Sequence, residues 1–294
     1  MPAELLATCW THAGDALPVP GRHLSPLDLR ARAEAVAAAG FVGIGFTLED
    51  LQAAGARYPL RDVGAICADL GLRHLEVELL QDWWTTGEPR RASDRTRVGL
   101  LEAAGALGAR QMKIGPGTAG PDGVPPGPVD PARRAAALHE LAGQAAGVGT
   151  RVALEPLPFS DIADFRVAAD LVAAADHPAA GLVVDIWHLE HGPSDLGDLA
   201  AIPVGTVFAV EIDDAPALAS TDLFHETIHR RVLPGAGTFD VRGFVGTLQR
   251  MGYPGPWGVE IISEAHRSRP PADTLREVHR SVTAVFDALA DTGA

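Results

Sequence analysis

The chain has only two cysteines, Cys9 and Cys67, in 294 residues. Neither belongs to a CxxC pair, so the sequence encodes no disulfide framework and no thiolate metal site of the usual spacing. Lysine is scarcer still: Lys113 stands alone, and every other basic residue apart from histidine is arginine. No tract is rich in Lys or Arg, and the formal charge is −14. Such a surface repels phosphate backbones and anionic headgroups, so neither nucleic acid nor membrane is expected as a partner. No apolar run approaches the ~20 residues that a bilayer span needs. The opening MPAELLATCW lacks a basic region followed by a long apolar stretch, which reads against a signal peptide and for a cytoplasmic protein. A GxGxxG that opens a helix after a first strand is also missing, which counts against a doubly wound dinucleotide fold.

What is present alternates. At 47% hydrophobic and 21% charged, the composition is that of an ordinary globular chain. Short β-branched runs end near Cys9, Phe46, Glu78, Ile114, Glu155, Asp185, Glu211 and Ile262. Alanine-rich helical patterns lie at Leu27–Ala39, Leu60–Leu70, Ser93–Leu107, Pro131–Ala146, Ile162–Ala175, Asp195–Ala201, Phe239–Gln249 and Pro271–Leu289. Ser25-Pro26 and Asp130-Pro131 each set a capping oxygen before a proline suited to a first turn. Gly40, Gly71, Gly108 and Gly147 are placed to end helices in the left-handed conformation. Eight strands with eight helical connections predict an α/β fold, a (β/α)8 TIM barrel forming a single domain over residues 1–294. The Gly/Pro-rich stretch within 115–130 reads as a loop near the barrel mouth.

In a barrel, chemistry gathers at the carboxyl ends of the strands. Four acids fall there, Glu155, Asp185, Glu211 and Glu260, in RVALE, LVVD, VFAVE and GVE. Four carboxylates brought together repel, and a divalent cation resolves the conflict. All-oxygen ligation favours a hard ion such as Mn²⁺ or Mg²⁺. Each acid taken alone could instead cap a helix or pair with an arginine. His188, three residues beyond Asp185, could look back into the site as a ligand or hydrogen-bond donor, or simply bond backbone beside Trp187. Lys113 could hold a substrate oxygen or form a salt bridge to an acid such as Glu78. Arg231, before a Pro-Gly turn, could pin a polar ligand through its planar fork, or the two arginines there could pair with Glu226 or Asp240. Of Asp213 and Asp214, one could orient a ligand while the other is solvated. Three clusters could shape a pocket: Trp10 with His12, Phe46 with Asp50, and Trp83 with Trp84, the last serving equally as an oligomer contact.

Together, VALEPLPFSD, LVVDIWHLEHG, VFAVEIDDA, RRVLPGAGTFD and WGVEIISE resemble the xylose-isomerase-like TIM-barrel superfamily of sugar-phosphate isomerases and epimerases. The nearest branches are inosose dehydratase, hydroxypyruvate isomerase and the ketose 3-epimerases. The resemblance implies that Glu155 is a metal ligand and one of two proton-transfer bases. It further implies that Asp185 is a ligand, His188 and Arg231 bind substrate, and Glu260 is a ligand and the second base. Glu211 departs from it, standing where the family usually has histidine or glutamine. Asp161 departs too, being shorter than the glutamate that the epimerases place there. DNA-repair endonucleases of the superfamily use several zinc ions and extra histidines that are mostly missing here. The implied activity is that of a divalent-metal-dependent sugar or sugar-phosphate isomerase or epimerase working through an enediolate. Mn²⁺ leads as the metal, ahead of Mg²⁺, Co²⁺ and Zn²⁺, and the implied assembly is a homodimer or homotetramer. An inosose-type dehydratase acting on a cyclic keto-polyol and a non-catalytic polyol-binding barrel are the alternatives. The contacts expected with substrate are from Lys113, His188, Arg231, Trp10, His12, Trp83, Trp84 and Asp214.

Overall fold

A computed structural model describes residues 3–118 and 129–291. Eight strands occur in it: β1 Leu5–Ala7, β2 Gly43–Thr47, β3 His74–Leu80, β4 Gln111–Ile114, β5 Val152–Leu154, β6 Ala180–Asp185, β7 Val207–Ile212 and β8 Trp257–Val259. They pair in sequence order, all parallel, and β8 closes on β1 with Leu6 opposite Gly258. The outer ring comprises α1 Leu29–Ala38, α2 Leu60–Asp69, α3 Gly87–Leu107, α4 Pro131–Gly147, α5 Phe165–Ala175, α6 Leu196–Ala201, α7 Val241–Met251 and α8 Pro271–Asp291. The TIM barrel expected from the alternation is therefore what the chain forms. Among the described residues, no helix is long and apolar enough to cross a membrane.

Strand side chains point alternately outward and inward. Met112 and Ile114, Val152 and Leu154, Leu182 and Val184, and Val210 and Ile212 face out and join the buried layer beneath the helices. Their alternates Ala153, Val183 and Ala209 face the lumen and, with Phe208 at the irregularity in the β6–β7 register, form a separate small apolar floor. The same inward register continues to Glu155, Asp185 and Glu211, with Asp185 directly opposite Glu211. The alternation that builds the floor thus also delivers the acids above it.

Several boundaries differ from the periodicity, each for a local reason. The cap of α1 is Asp28, whose side chain accepts from Ala31 N, while Ser25 binds Leu27 N and the carbonyl of Ala13 in the preceding turn. At α5, Asp164 caps and delays the start past Ile162. Gly40, Gly71 and Gly108 have positive φ, as expected, but Gly147 is still helical and Gly149 is the left-handed residue. Five short helices went unforeseen, Cys9–His12, Leu48–Ala54, Ile186–His191, Leu223–His229 and Glu264–Arg267. They lie in the segments that follow β1, β2, β6, β7 and β8, where a run of four to seven residues is too short for a periodic signal. Of the expected mouth loop at 115–130, residues 119–128 lie outside the described residues, while Thr118 lines the cavity described below.

The floor sets a packing limit that can be tested. A Cβ on Gly181 would come within 2.5 Å of the Phe208 ring, whereas one on Gly205 would meet nothing within 4 Å. Gly181→Ala should cost roughly 1–3 kcal/mol through overpacking, and Gly205→Ala should be near neutral. Urea unfolding of the two variants beside the parent checks this, and equal midpoints would show that the floor tolerates the methyl group.

Candidate active site

A cavity of about 540 Å³ opens at the carboxyl ends of the strands, lined by Trp10, Glu49, Glu78, Glu155, Phe159, His188, Arg231, Glu260 and Ile262 among others. At its base, one oxygen from each of Glu155, Asp185, Glu211 and Glu260 lies within 4.8 Å of the other three. Glu155, Asp185 and a ring nitrogen of His188 form an overlapping group of three within the same 4.8 Å. Asp185 ends β6 and caps the helix Ile186–His191, its Oδ1 accepting from Trp187 N at 2.7 Å. That cap turns the chain into helix at once. His188 therefore sits one turn along rather than in a loop, with Nε2 3.2 Å from Glu155 Oε1 and 3.4 Å from Asp185 Oδ2.

Two cations hold this acid-rich lumen together. Lys113 projects from β4 and is 1% exposed. Its Nζ lies 3.2 Å from Glu76 and 2.9 Å from Glu78 on the neighbouring β3, and it pairs with Glu211 across the barrel. Arg231 is equally buried. Its Nη1 meets Asp185 Oδ2 at 2.8 Å, pairs with Asp213, and lies 3.4 Å from Glu260 Oε2. Its remaining donors, Nε and Nη2, both reach Thr227 Oγ1, at 3.2 and 2.9 Å.

Six carboxyls therefore share two fixed cations, with Glu155 a seventh in the same lumen, and the imbalance shows in their protonation. Burial pushes Glu211 well above the usual carboxylate range, with Glu260 adding repulsion and Lys113 opposing. Burial likewise drives Asp213 well up despite Arg231 and lifts Glu260 to about 8. Asp185 goes the other way: burial works against its charge, but Arg231 and His188 outweigh burial and hold it below the ordinary value. For Lys113, burial is overcome by Glu211, Glu76 and Glu78, which keep its ammonium protonated.

The donor set fits a hard divalent cation. It offers four converging carboxylate oxygens, and Glu211 Oε2 is buried with no hydrogen-bond partner. A buried acceptor left without a donor is costly, and a cation would satisfy it. Carboxylate oxygens suit a hard divalent ion, and no thiolate belongs to the set. Cys9 is close but inert: its Sγ donates to Glu78 Oε1 at 3.1 Å, and burial pushes the thiol well up.

Of the residues expected to touch substrate, Trp10, His188 and Arg231 line the cavity; Lys113, His12, Trp83, Trp84 and Asp214 do not. Lys113 is fully engaged beneath it, by Glu78 as anticipated and by Glu76 and Glu211 in addition. His12 is buried and bonds the Gly45 carbonyl at 2.9 Å. Trp83 and Trp84 turn inward, not outward as an oligomer contact, and are each 3% exposed. The Trp83 indole donates to the Gly115 carbonyl, and Arg134 stacks on Trp84 at 4.6 Å. Asp214 is not solvated either. It accepts from the backbone N–H groups of Gly235, Gly237 and Phe239, and so shapes the turn that follows Arg231. Phe46 is in the outer core, and Asp50 pairs with buried Arg32. Arg230 pairs with Glu226 at 2.7 Å. Asp161 accepts from Gly117 N and pairs with Arg134, tethering one end of the mouth segment.

Sequence reasoning missed Glu49, Phe159, Phe224 and Ile228 as lining residues. It also missed Glu76 as a partner of Lys113. The alternation LEVE in β3 could have found Glu76, since it places Glu76 and Glu78 on one face.

Residues 33–284 match the sequence model of the xylose isomerase-like TIM barrel family, and the chain belongs to that family. Among curated proteins it is 32% identical to a 3-dehydroshikimate dehydratase of Pseudomonas aeruginosa over 239 residues, 81% of this chain and 36% of that protein. It is 30% identical to the same-named enzyme of Pseudomonas putida, over 85% of this chain and 38% of that one. The chain thus spans little more than a third of these relatives. A shorter match, 30% over 127 residues, joins 42% of the chain to 44% of an inosose isomerase of Halalkalibacterium halodurans. Among solved structures, a xylose isomerase-like TIM barrel/4-hydroxyphenylpyruvate dioxygenase fusion protein superposes with a TM-score of 0.77 at 25% identity, covering 95% of this chain and 42% of that one. An L-ribulose 3-epimerase, 15% identical with a TM-score of 0.76 over 100% of this chain and 97% of that one, shares the fold.

The His12 assignment makes a pH prediction. Burial, reinforced by Arg32, lowers its pKa from 6.5 to about 3. A histidine depressed on folding contributes stability that is whole above its unfolded pKa and is lost as pH falls toward the folded one. Between pH 7 and 5 this group should remove on the order of 2 kcal/mol. Urea midpoints of the parent should fall over that interval more steeply than those of His12→Gln. Parallel declines would assign the effect to other groups.

Proposed function

We propose that the chain is a metal-assisted enzyme that removes a proton beside the carbonyl of a polyhydroxylated ketone and then expels the β-hydroxyl, a dehydratase of the inosose or dehydroshikimate type. The observation that carries this reading is the Glu155–His188 contact at 3.2 Å, a base and a proton donor side by side on the cavity wall. The kinship with dehydratases over more than four-fifths of the chain supports it.

Glu155, Asp185, Glu211 and Glu260 would hold the divalent ion, which when bound polarises the carbonyl and offsets the charge that develops on its oxygen. Glu155 removes the α-proton, and the electron pair moves onto the carbonyl to give an enolate. As the enolate collapses, the β C–O bond breaks, and the departing hydroxyl takes the proton of His188 to leave as water. His188 carries that proton on Nε2, because the carboxylate oxygens facing it can only accept. Glu155 then returns its proton to His188 across the same contact. Both groups finish as they began, and the product is an α,β-unsaturated ketone.

Isomerisation or epimerisation is the second reading. Glu260 also lines the cavity and could return a proton to carbon instead of allowing the hydroxyl to leave. Kinship with inosose isomerases supports this outcome over a shorter span.

Three measurements test the scheme. Elemental mass spectrometry on protein purified without added metal or chelator should find about one divalent ion per chain, lost in an E155A/D185A control. No ion, even after reconstitution with Mn²⁺, would remove the metal. Cyclic β-hydroxyketones should develop the ultraviolet absorbance of a conjugated enone. Glu155→Gln should slow both that signal and α-proton exchange into ²H₂O by ~10³-fold, whereas His188→Gln should lose ~10²-fold in dehydration and keep exchange. A rearranged or epimerised ketone without enone absorbance would favour the second reading, and an unimpaired Glu155→Gln would overturn both.

A further inference from the structure

The basic groups bordering the cavity are already committed to protein partners. Arg231 places Nη1 among Asp185, Asp213 and Glu260 and its other nitrogens on Thr227, at 1% exposure. Lys113 lies beneath the cavity, surrounded by Glu76, Glu78 and Glu211. His188 faces Glu155 and Asp185. Among the described lining residues, His23 alone is a basic side chain without a partner, and it offers one imidazole rather than a fixed charge.

The opposite charge is abundant. Glu49, Glu78, Glu155 and Glu260 all line the cavity. Whether ionised or protonated, these groups present oxygens and no positive charge. A divalent ion at the base adds two positive charges against its four carboxyl ligands, and Glu49 and Glu78 lie outside that set. A phosphate or carboxylate entering here would lose its hydration and meet repulsion without an uncommitted guanidinium or ammonium to receive it, a costly exchange in a partly enclosed site. Hydroxyl groups face the reverse situation, because each can donate to a carboxyl oxygen. The remaining wall is apolar, with Trp10, Phe159, Ile228 and Ile262 suited to the C–H face of a ring.

From this we infer that the substrate is an uncharged polyhydroxylated ketone, cyclic or ring-closed, and that phosphorylated and carboxylated counterparts are excluded. The inference rests on the enolate reading above and narrows it. It also separates this chain from the 3-dehydroshikimate dehydratases, whose substrate carries a carboxylate.

Matched pairs test it by isothermal titration of Mn²⁺-reconstituted protein at neutral pH: an inosose against 3-dehydroshikimate, and a ketohexose against its 6-phosphate. The neutral member of each pair should bind at least tenfold more tightly. Phe224, 41% exposed on the cavity wall, gives the converse test. Phe224→Arg adds an uncommitted cation there and should shift both ratios toward the anion by about tenfold. Equal or tighter binding of either anion by the parent would overturn the proposal, as would failure of all four compounds to bind. Selective binding of the neutral ketone without proton exchange would leave this inference standing and sink the enolate reading. Turnover of an anionic ketone would do the opposite.

Discussion

The architecture of the site depends on one electrostatic constraint: seven carboxyl groups sharing a barrel lumen with two buried cations. Lys113 ties β4 to β3 and, across the lumen, to β7. Arg231 ties the segment after β7 back to β6 and to Glu260 after β8. Removing one partner from such a buried set typically costs 3–5 kcal/mol, because the remaining charges stay desolvated and uncompensated. The two cations therefore support the strand ends from within, in a region that the apolar floor does not reach.

That arrangement gives Glu211 its meaning. A carboxylate stands where the resemblance implies a neutral ligand, and on its own it would add a negative charge to an already crowded site. Lys113 pairs with Oε1 and leaves Oε2 buried without a hydrogen-bond partner. The lysine opposes that charge while also serving Glu76 and Glu78, and burial pushes the Glu211 carboxyl well above the usual range.

The fold was legible because alternation is a local signal. Strand runs, the Asp130 cap and the glycines at 40, 71 and 108 each announce themselves within a few residues, and their order implies the barrel. Strand-end acids were legible for the same reason. Contacts across the lumen were not, since β4 and β7 are far apart in sequence and nothing near Lys113 names Glu211 as its partner. The tryptophans at 83 and 84 misled in a related way. Composition marked them as binding surface, but the turn after β3 directs both rings inward, where Gly115 and Arg134 receive them. Asp214 was misread because its work is done on backbone amides twenty-odd residues later, which no side-chain pattern records.

The solitary lysine has one more consequence, concerning covalent chemistry. Within these residues the surface carries its positive charge on guanidinium groups, and the only ε-amine is sealed in the lumen at 1% exposure. Reagents and enzymes that modify lysine find no side-chain amine on the native barrel. The reactivity of that one amine is instead governed by how often the strands part, so the chain carries a built-in chemical clock for the opening of its own core.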